Sequence, residues 1–487
     1  MHSKGFLKAI PWLFMLLNSV PAAAAAVPAP ITEEEKNTPQ RYVFAHFMLG
    51  IVSNRASADD YNLDMTLAAD AGIDAFAINV ATDDYTDKQL DLAYESAAKN
   101  NMKLFLSFDF NYWAPATAAE QIGAKIAKYA KHPAQLRVDD KVFVSTFLGE
   151  GLNVTAMRKS AGVPIYFAPN WAPSKPDIYD EVDAALNRMA WPNNGANRAP
   201  TSAVNLTVAM GDEAYKKVLG KKDYVAPASP WYFTHYGAEV SYSKNWVFPA
   251  DNLWSSRWQE LLESKPRFVF IISWNDYGES SYVGPLSPIH TDDGASKWAN
   301  HMPHGGFLDI AKPYIQAFHA GKTVPTRFAK EDSIIYWYRP NPASLDCDAT
   351  DTTMIDTTST AYAHGRPDGW QSMTDSIFIT AIFKSSGKLV VTSGGNKFEY
   401  PVSRGVSTWS VPMSVGAQTF ALYRKSKPVI IDTSARNVTM KCICGNYNFN
   451  AYVGTIPKDD GVDTLPEAGL ALLTKGIRVP EDQCRAA

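Results

Sequence analysis

Apolar runs without alternation recur along the first two thirds of the chain. Each is followed by a stretch whose apolar residues return every three or four positions. A run without alternation reads as a strand buried on both faces, as in a parallel sheet, and the 3.6-residue period reads as an amphipathic helix. Strands are predicted from Val43 to Met48, Ala75 to Val80, Lys103 to Phe108, Val142 to Phe147 and Pro164 to Ala168. A sixth is expected to end at Met189 to Trp191, a seventh to begin at Tyr224 to Pro227, and an eighth to start at Phe268. Helices are predicted from Asp59-Asp60 to Gly72, over 87–100, 117–131 and 252–263, and around 307–320. Strand–helix alternation repeated about eight times is the signature of an α/β protein of the (β/α)8 TIM-type barrel class. The competing layout is a doubly wound open sheet, which the lack of a Gly-rich loop after the first strand disfavours.

After about residue 330 the texture changes. Ser333 to Tyr338, Ser376 to Phe383, Lys388 to Thr392, Gln418 to Tyr423 and Lys427 to Ile431 read as short strands, with turns such as Ser393-Gly394-Gly395-Asn396 between them. No helix is predicted there until 466–475. This predicts a C-terminal antiparallel β-sandwich domain packed on the barrel. The expected division is 1–26, 27–330 and 331–487.

The chemistry is concentrated where the eighth strand stops. Phe268-Val-Phe-Ile-Ile-Ser runs into Trp274-Asn275-Asp276-Tyr277-Gly278-Glu279. On a continuing strand, positions three apart point to opposite faces. Gly278 is expected to take a positive φ and fold the turn, so that Asp276 and Glu279 face one cleft. Paired acids beside aromatics at the C-terminal end of a barrel strand suit glycoside hydrolysis. The other strand ends offer His46, Asn79, Asp109 with Trp113, Asn170-Trp171, and Trp191. Each has a plainer reading: His46 as a hydrogen-bonded core histidine, Asp109 as a cap, Trp171 and Trp191 as loop packing, Asp276 and Glu279 as surface acids. Asp59, Asp60, Asp83 and Asp84 read as helix openers. His235, His290, His301 and His304 have no metal-ligand spacing, and there is no H-E-x-x-H, P-loop or G-x-S-x-G. No metal or cofactor is therefore expected.

The net charge of −4 over 487 residues gives no sign of a nucleic-acid or membrane-surface partner. Lys4 and Lys8 precede an apolar segment, Trp12 to Leu17, and a small-residue run, Pro21 to Ala26. That is the pattern of a secretory signal cleaved near Ala24 to Ala26, too short to span a bilayer. Secretion agrees with sequons at Asn153, Asn205 and Asn437, and with two disulfides among Cys347, Cys442, Cys444 and Cys484. Cys442 and Cys444 are too close to pair easily, so each is expected to reach Cys347 or Cys484. Nothing in the chain signals an oligomer, and a monomer is expected.

Phe44-Ala-His-Phe-Met, Ala71-Gly-Ile-Asp-Ala-Phe-Ala-Ile-Asn, Lys103-Leu-Phe-Leu-Ser-Phe-Asp and Ser273-Trp-Asn-Asp-Tyr-Gly-Glu-Ser come in an order and spacing that resembles the fungal α-1,3-glucanases (mutanases) of glycoside hydrolase family 71. The resemblance spans about residues 42–340 and includes Tyr336-Trp-Tyr-Arg-Pro. It implies hydrolysis of α-1,3-glucan with inversion at the anomeric carbon, outside the cell or at the cell wall. It implies that Asp276 and Glu279 are catalytic. Our assignment takes Glu279 as general acid and Asp276 as general base, with the exchanged roles left open, Asp109 as a third carboxylate, and Asn79, His46 and Asn275 as hydrogen-bond partners of the sugar. Trp113, Trp171, Trp191 and Trp274 are the aromatic surfaces of the cleft. The chain departs from the family at Leu49-Gly50-Ile51-Val52-Ser53-Asn54, which leaves endo or exo cleavage open. The alternatives are a glycosidase acting on another α-glucan and a carbohydrate-binding protein without catalysis.

Overall fold

In a computed structural model, the described residues are 39–192, 207–237, 240–354 and 362–457. The signal region, Asn205, Cys484 and the helix expected at 466–475 lie outside them.

The predicted alternation is present from Tyr42 onward. In order the elements are β1 (Tyr42–Met48), α1 (Asn62–Ala71), β2 (Ala75–Val80), α2 (Thr86–Lys99), β3 (Lys103–Asp109) and α3 (Ala119–Tyr129). They continue as β4 (Lys141–Phe147), α4 (Val154–Ala161), β5 (Ile165–Asn170), β6 (Ala184–Leu186), α5 (Val208–Leu219) and β7 (Asp223–Ala228). A hairpin of β8 (Phe233–Tyr236) and β9 (Lys244–Val247) follows, then α6 (Leu253–Ser264), β10 (Phe268–Ile271) and α7 (Gly305–His319). The sixth strand thus lies earlier than expected. The Asn187 side chain accepts from Met189 N at 2.9 Å, and Ala190 N bonds Arg188 O, so the chain turns where the sequence pattern placed a strand.

All of these strands except the β8–β9 hairpin join a short strand, Arg137–Val138, in one curled sheet of nine. One member, Arg137–Val138, is antiparallel to β4 and the other eight are parallel. Ladders join β1–β2–β3–β4–β5 on one side and β1–β10–β7–β6 on the other. Between β5 and β6 there is no ladder. Asp183 N donates to Phe167 O and Asn170 Nδ2 to Leu186 O, each at 2.9 Å, and bridge the gap.

The concave face of the curl is filled with rings. Phe44 packs against Phe105, Phe143 and Phe268 at 5.0, 5.2 and 5.7 Å. Side chains on a strand return to one face every second residue. Two positions beyond Phe44 is His46, two beyond Ala77 is Asn79, and four beyond Phe105 is Asp109. The interior therefore changes from aromatic to polar toward the C-terminal ends of the strands, and the site sits there.

The C-terminal strands are β11 (Ser333–Tyr338), β12 (Ser376–Phe383), β13 (Gly387–Ser393), β14 (Asn396–Val402), β15 (Gly405–Pro412), β16 (Gln418–Arg424), β17 (Lys427–Thr433) and β18 (Tyr452–Ile456). They make two four-stranded antiparallel sheets, ordered β15-β12-β11-β18 and β14-β13-β16-β17. The sheets share a core, where Tyr336 stacks on Phe420 at 4.0 Å. The opposite face of β11 packs on the helices outside the curled sheet, with Trp337 against Phe307 at 5.6 Å. Both faces of β11 are thus buried, which accounts for its unalternating Ser-Ile-Ile-Tyr-Trp-Tyr. Cys347 is disulfide-bonded to Cys442, with Cα atoms 5.8 Å apart.

Candidate active site

β10 ends at Ile271, and the chain then folds a tight loop closed by its own backbone. Ser273 N donates to Ser281 O at 2.8 Å, Val283 N to Ser273 O at 3.0 Å and Gly284 N to Trp274 O at 2.8 Å. Two side chains of the motif lock this loop to β1 and α1. Asn275 Oδ1 accepts from Met48 N at 2.8 Å, and its Nδ2 donates to Met48 O. Trp274 is fully buried and donates its indole N–H to Asp64 at 2.8 Å. Asp64 is itself ion-paired, inside the protein, with Arg55 at 2.8 Å. Unpaired, that carboxylate would be strongly unfavourable in such surroundings.

Within the loop, Asp276 N donates to Ser273 Oγ at 2.8 Å, and Glu279 N donates to Asp276 Oδ1 at 3.0 Å. This turn puts both acids on one side. The positive φ expected of Gly278 falls instead on Ser280, at 53°. Gly278 is required for space, because a Cβ there would lie 2.2 Å from the Tyr236 hydroxyl oxygen.

The surroundings of the two carboxyls differ. Burial is the largest influence on Asp276; with the nearby charge of Glu279, and a smaller contribution from Asp293, it pushes the Asp276 pKa up to about 7 against the partial relief of Lys244. Burial also acts to raise Glu279, but there it is outweighed. Lys244 Nζ lies 2.6 Å from Glu279 Oε1, and the Tyr232 hydroxyl and the Arg188 charge act in the same direction. Glu279 is therefore held below its ordinary range. The order of ionisation is the reverse of the one our assignment required: Asp276 holds its proton near neutrality and Glu279 does not. The indole of Trp274 points away to Asp64, and the Tyr277 hydroxyl donates to Pro285 O.

Beside the pair is a second polar cluster. Asn79 Nδ2 donates to Asp109 Oδ2 at 3.1 Å, and Asn111 N to Asp109 Oδ1 at 3.0 Å. The Arg188 guanidinium lies 3.2 Å from His46 Nε2 and 4.7 Å above the Phe147 ring. Burial acts most strongly on Arg188 and lowers its pKa, while Asp109, Glu279 and Asp276 all favour its charge. His46 is buried, and that burial together with Arg188 keeps it neutral. Among the described residues no group of three or more His, Cys, Asp or Glu is arranged to hold a metal ion.

The model of glycosyl hydrolase family 71 matches residues 39–465. The chain belongs to this family. It is 39% identical over 462 residues to a mutanase of Penicillium rubens, covering 94% of this chain and 98% of that one. It is 32% identical over 434 residues to the glucan endo-1,3-alpha-glucosidase agn1 of Schizosaccharomyces pombe, covering 85% and 95%. It is 28% identical over 381 residues to an ascus wall endo-1,3-alpha-glucanase of the same yeast, covering 73% and 82%.

In this family 71 hydrolase, Asp276, Glu279, Asp109, Asn79 and His46 gather at one end of the sheet. The tryptophans do not line an open cleft. Trp113 is buried and donates to Val80 O, and Trp171 is buried against Phe167 with its carbonyl bonded by Tyr179. Trp191 is buried, stacked 5.4 Å from Phe248 and bonded to Trp231 O. Trp274 and Asn275 serve the loop itself. The aromatic rings exposed near the charges are tyrosines: Tyr112, 57% exposed, and Tyr242, 46% exposed and bonded to Asp293 at 2.7 Å. Sequence reasoning missed Arg188, Lys244, Tyr232 and Asp293. Arg188 alone had a signal, as a polar residue two past the apolar Leu186 on the inward face.

Proposed function

We propose that this family 71 hydrolase cleaves the α-1,3-glucosidic bonds of α-1,3-glucan with inversion, with Asp276 as general acid and Glu279 as general base. The observation that carries the reading is the unequal setting of two carboxyls in one turn: Glu279 N donates to Asp276 Oδ1 at 3.0 Å, while Glu279 Oε1 lies 2.6 Å from Lys244 Nζ. An inverting glycosidase needs that asymmetry: one acid protonates the leaving oxygen, and one carboxylate takes a proton from water on the far face of the sugar. Asp276, kept protonated by burial and by Glu279, gives its proton to the departing glucosyl oxygen. Glu279, kept ionised by Lys244, removes a proton from the water whose oxygen bonds to the anomeric carbon. Asp109, Glu279 and Asp276 all favour the charge of Arg188, which offsets theirs in turn, and neutral His46 lies 3.2 Å from its guanidinium. Tyr112 and Tyr242 offer ring faces to the glucan.

The substrate reading is supported by the relatives, a mutanase and two endo-1,3-α-glucanases. We read the curled parallel sheet with its helices as a (β/α)8 barrel spanning 27–330, and 331–487 as an accessory β-sandwich. We further propose action outside the cell or at the wall, after removal of residues 1–26. Asn153 and Asn437 are exposed and available to carry glycans. Among the described residues no helix is long and apolar enough to cross a membrane.

The test is release of reducing ends from insoluble α-1,3-glucan, with NMR of the first anomer formed. New β-anomeric ends are expected. New α-ends would overturn inversion, and activity only on other α-glucans would overturn the substrate.

A further inference from the structure

The hairpin over the catalytic turn has two working faces. In the β8–β9 ladder Tyr236 lies opposite Lys244, and His235 opposite Asn245. Neighbours along a strand alternate sides. Lys244 reaches Glu279, and Tyr236 closes on Gly278. His235 and Asn245 therefore face the other way, toward the long connection between β11 and β12.

That connection grips them. His235 Nε2 lies 2.7 Å from Asp351 Oδ2, and His235 Nδ1 lies 2.6 Å from Asn245 Oδ1. The amide orientation of Asn245 is set by its Nδ2, which donates to Gly365 O at 2.7 Å, leaving its oxygen for the imidazole. Asp351 also accepts from Thr353 N at 2.8 Å, Thr353 Oγ1 at 2.6 Å and Tyr447 N at 2.7 Å. Burial works to raise its carboxyl, but His235 and these donors overcome it and hold Asp351 ionised. Both imidazole nitrogens thus face acceptor oxygens, one on Asp351 and one on Asn245. His235 and Asp351 are buried, at 1% and 0% side-chain exposure. Backbone bonds run alongside: Asp368 N donates to Asn245 O at 3.1 Å and Val247 N to Asp368 O at 2.9 Å, so the connection lies along the free edge of the hairpin.

We propose that Asp351 is a positioning residue for the catalytic pair, holding through His235 and Asn245 the hairpin that carries Lys244 to Glu279. The C-terminal region then completes the active site instead of standing beside it as a separable module. This rests on Asp276 and Glu279 being the acid–base pair.

The groups that face Glu279 are Lys244 on the hairpin, Tyr232 just before it, Arg188 beyond β6 and Asp276 in its own turn. Of these, Lys244 is the charged group carried by the hairpin that Asp351 grips. With Lys244 loosened, Glu279 ionises less readily. The acid limb of kcat/KM then moves to higher pH by roughly one unit, the lower end of what an adjacent opposite charge does.

The experiment measures kcat/KM against pH on a soluble α-1,3-gluco-oligosaccharide for wild type, Asp351→Asn, Lys244→Met and the double variant. Both single variants are expected to raise the acid limb, and the double variant to raise it no further than Lys244→Met. An Asp351→Asn enzyme with lower Tm and an unmoved acid limb would overturn the proposal, as would additive shifts in the double variant. If Asp351→Asn does not fold, Thr353→Ala removes one hydrogen bond from the same carboxylate and is expected to move the limb less, in the same direction; an unmoved limb there also overturns it. If the wild type releases no product from α-1,3-glucan, the parent reading fails on its own. Carboxyl NMR titration of Glu279 in the same variants then decides the coupling without activity.

Discussion

The two ends of the curled sheet present opposite arrangements of space and charge. At the end where the strands begin there is an open cavity of about 950 Å³, with Tyr42, Asp74, Lys103, His132, Arg137 and His319 in its walls. Its charges are met one by one. Asp74 Oδ2 accepts from Val43 N at 2.7 Å and faces His319 Nε2 at 2.9 Å. Arg137 donates to Ala130 O at 2.7 Å, and Lys103 to Pro133 O at 2.7 Å. At the other end Asp276 and Glu279 share one turn, with Asp293 and Asp109 close by, and Lys244 and Arg188 set against them. The cavity where the strands begin is lined by charges with their own partners, and the end with Asp276 and Glu279 holds charges in conflict. Functional chemistry follows the conflict, because groups crowded in low dielectric take unusual protonation states.

The strongest way to break this contrast is to remove each acid. Asp276→Asn and Glu279→Gln should each lower glucan hydrolysis by roughly 10²- to 10⁴-fold, the usual contribution of a general acid or base. Reducing-sugar release measures it, and near-normal activity in either variant removes that residue from catalysis. Next comes Lys244→Met. It should lower kcat/KM at acid pH by about tenfold, since a pKa displaced by one unit changes the ionised fraction by that factor well below it. The same variant should approach wild-type activity toward neutral pH.

The wild-type pH profile sharpens the contrast further. Asp276 has a raised pKa and works protonated, so activity should be lost as pH rises through about 7. Glu279 has a lowered pKa and works ionised, so activity should persist below the ordinary carboxylate range and fail only in stronger acid. A bell centred on the alkaline side would contradict both directions. The smallest effect on activity is expected at the opposite end. Asp74→Asn should leave the rate unchanged and cost about 1 kcal/mol of stability for a weakened hydrogen-bond set, visible as a lower Tm. A large loss of activity there would mean that the cavity takes part in the reaction.

Much of this was legible along the chain, and the reasons are local. His46, Asn79 and Asp109 could be placed together because strand periodicity carries them to the inward face at the ends of β1, β2 and β3. Asp276 and Glu279 could be named because a buried strand stops beside them. The tryptophans misled because residue type does not tell whether an indole is bound by sugar or by its own protein. Trp113 and Trp191 satisfy their N–H groups on Val80 and Trp231 carbonyls, inside the protein. Gly278 misled in a similar way, since crowding by Tyr236 leaves no trace in neighbouring residues.

Hydrophobic period and turn chemistry along this chain were enough to determine the strand–helix alternation and the later β-strands, and to single out Asp276 and Glu279 as the candidate acids. Those signals act between near neighbours, and they need no partner from elsewhere. Which acid holds a proton was decided only by the tertiary structure. That choice depends on a lysine at 244, an arginine at 188 and an aspartate at 293 brought around one turn, and on the water that their packing excludes. Electrostatic energy depends on distance in space and on dielectric, so no spacing along the sequence could have revealed it.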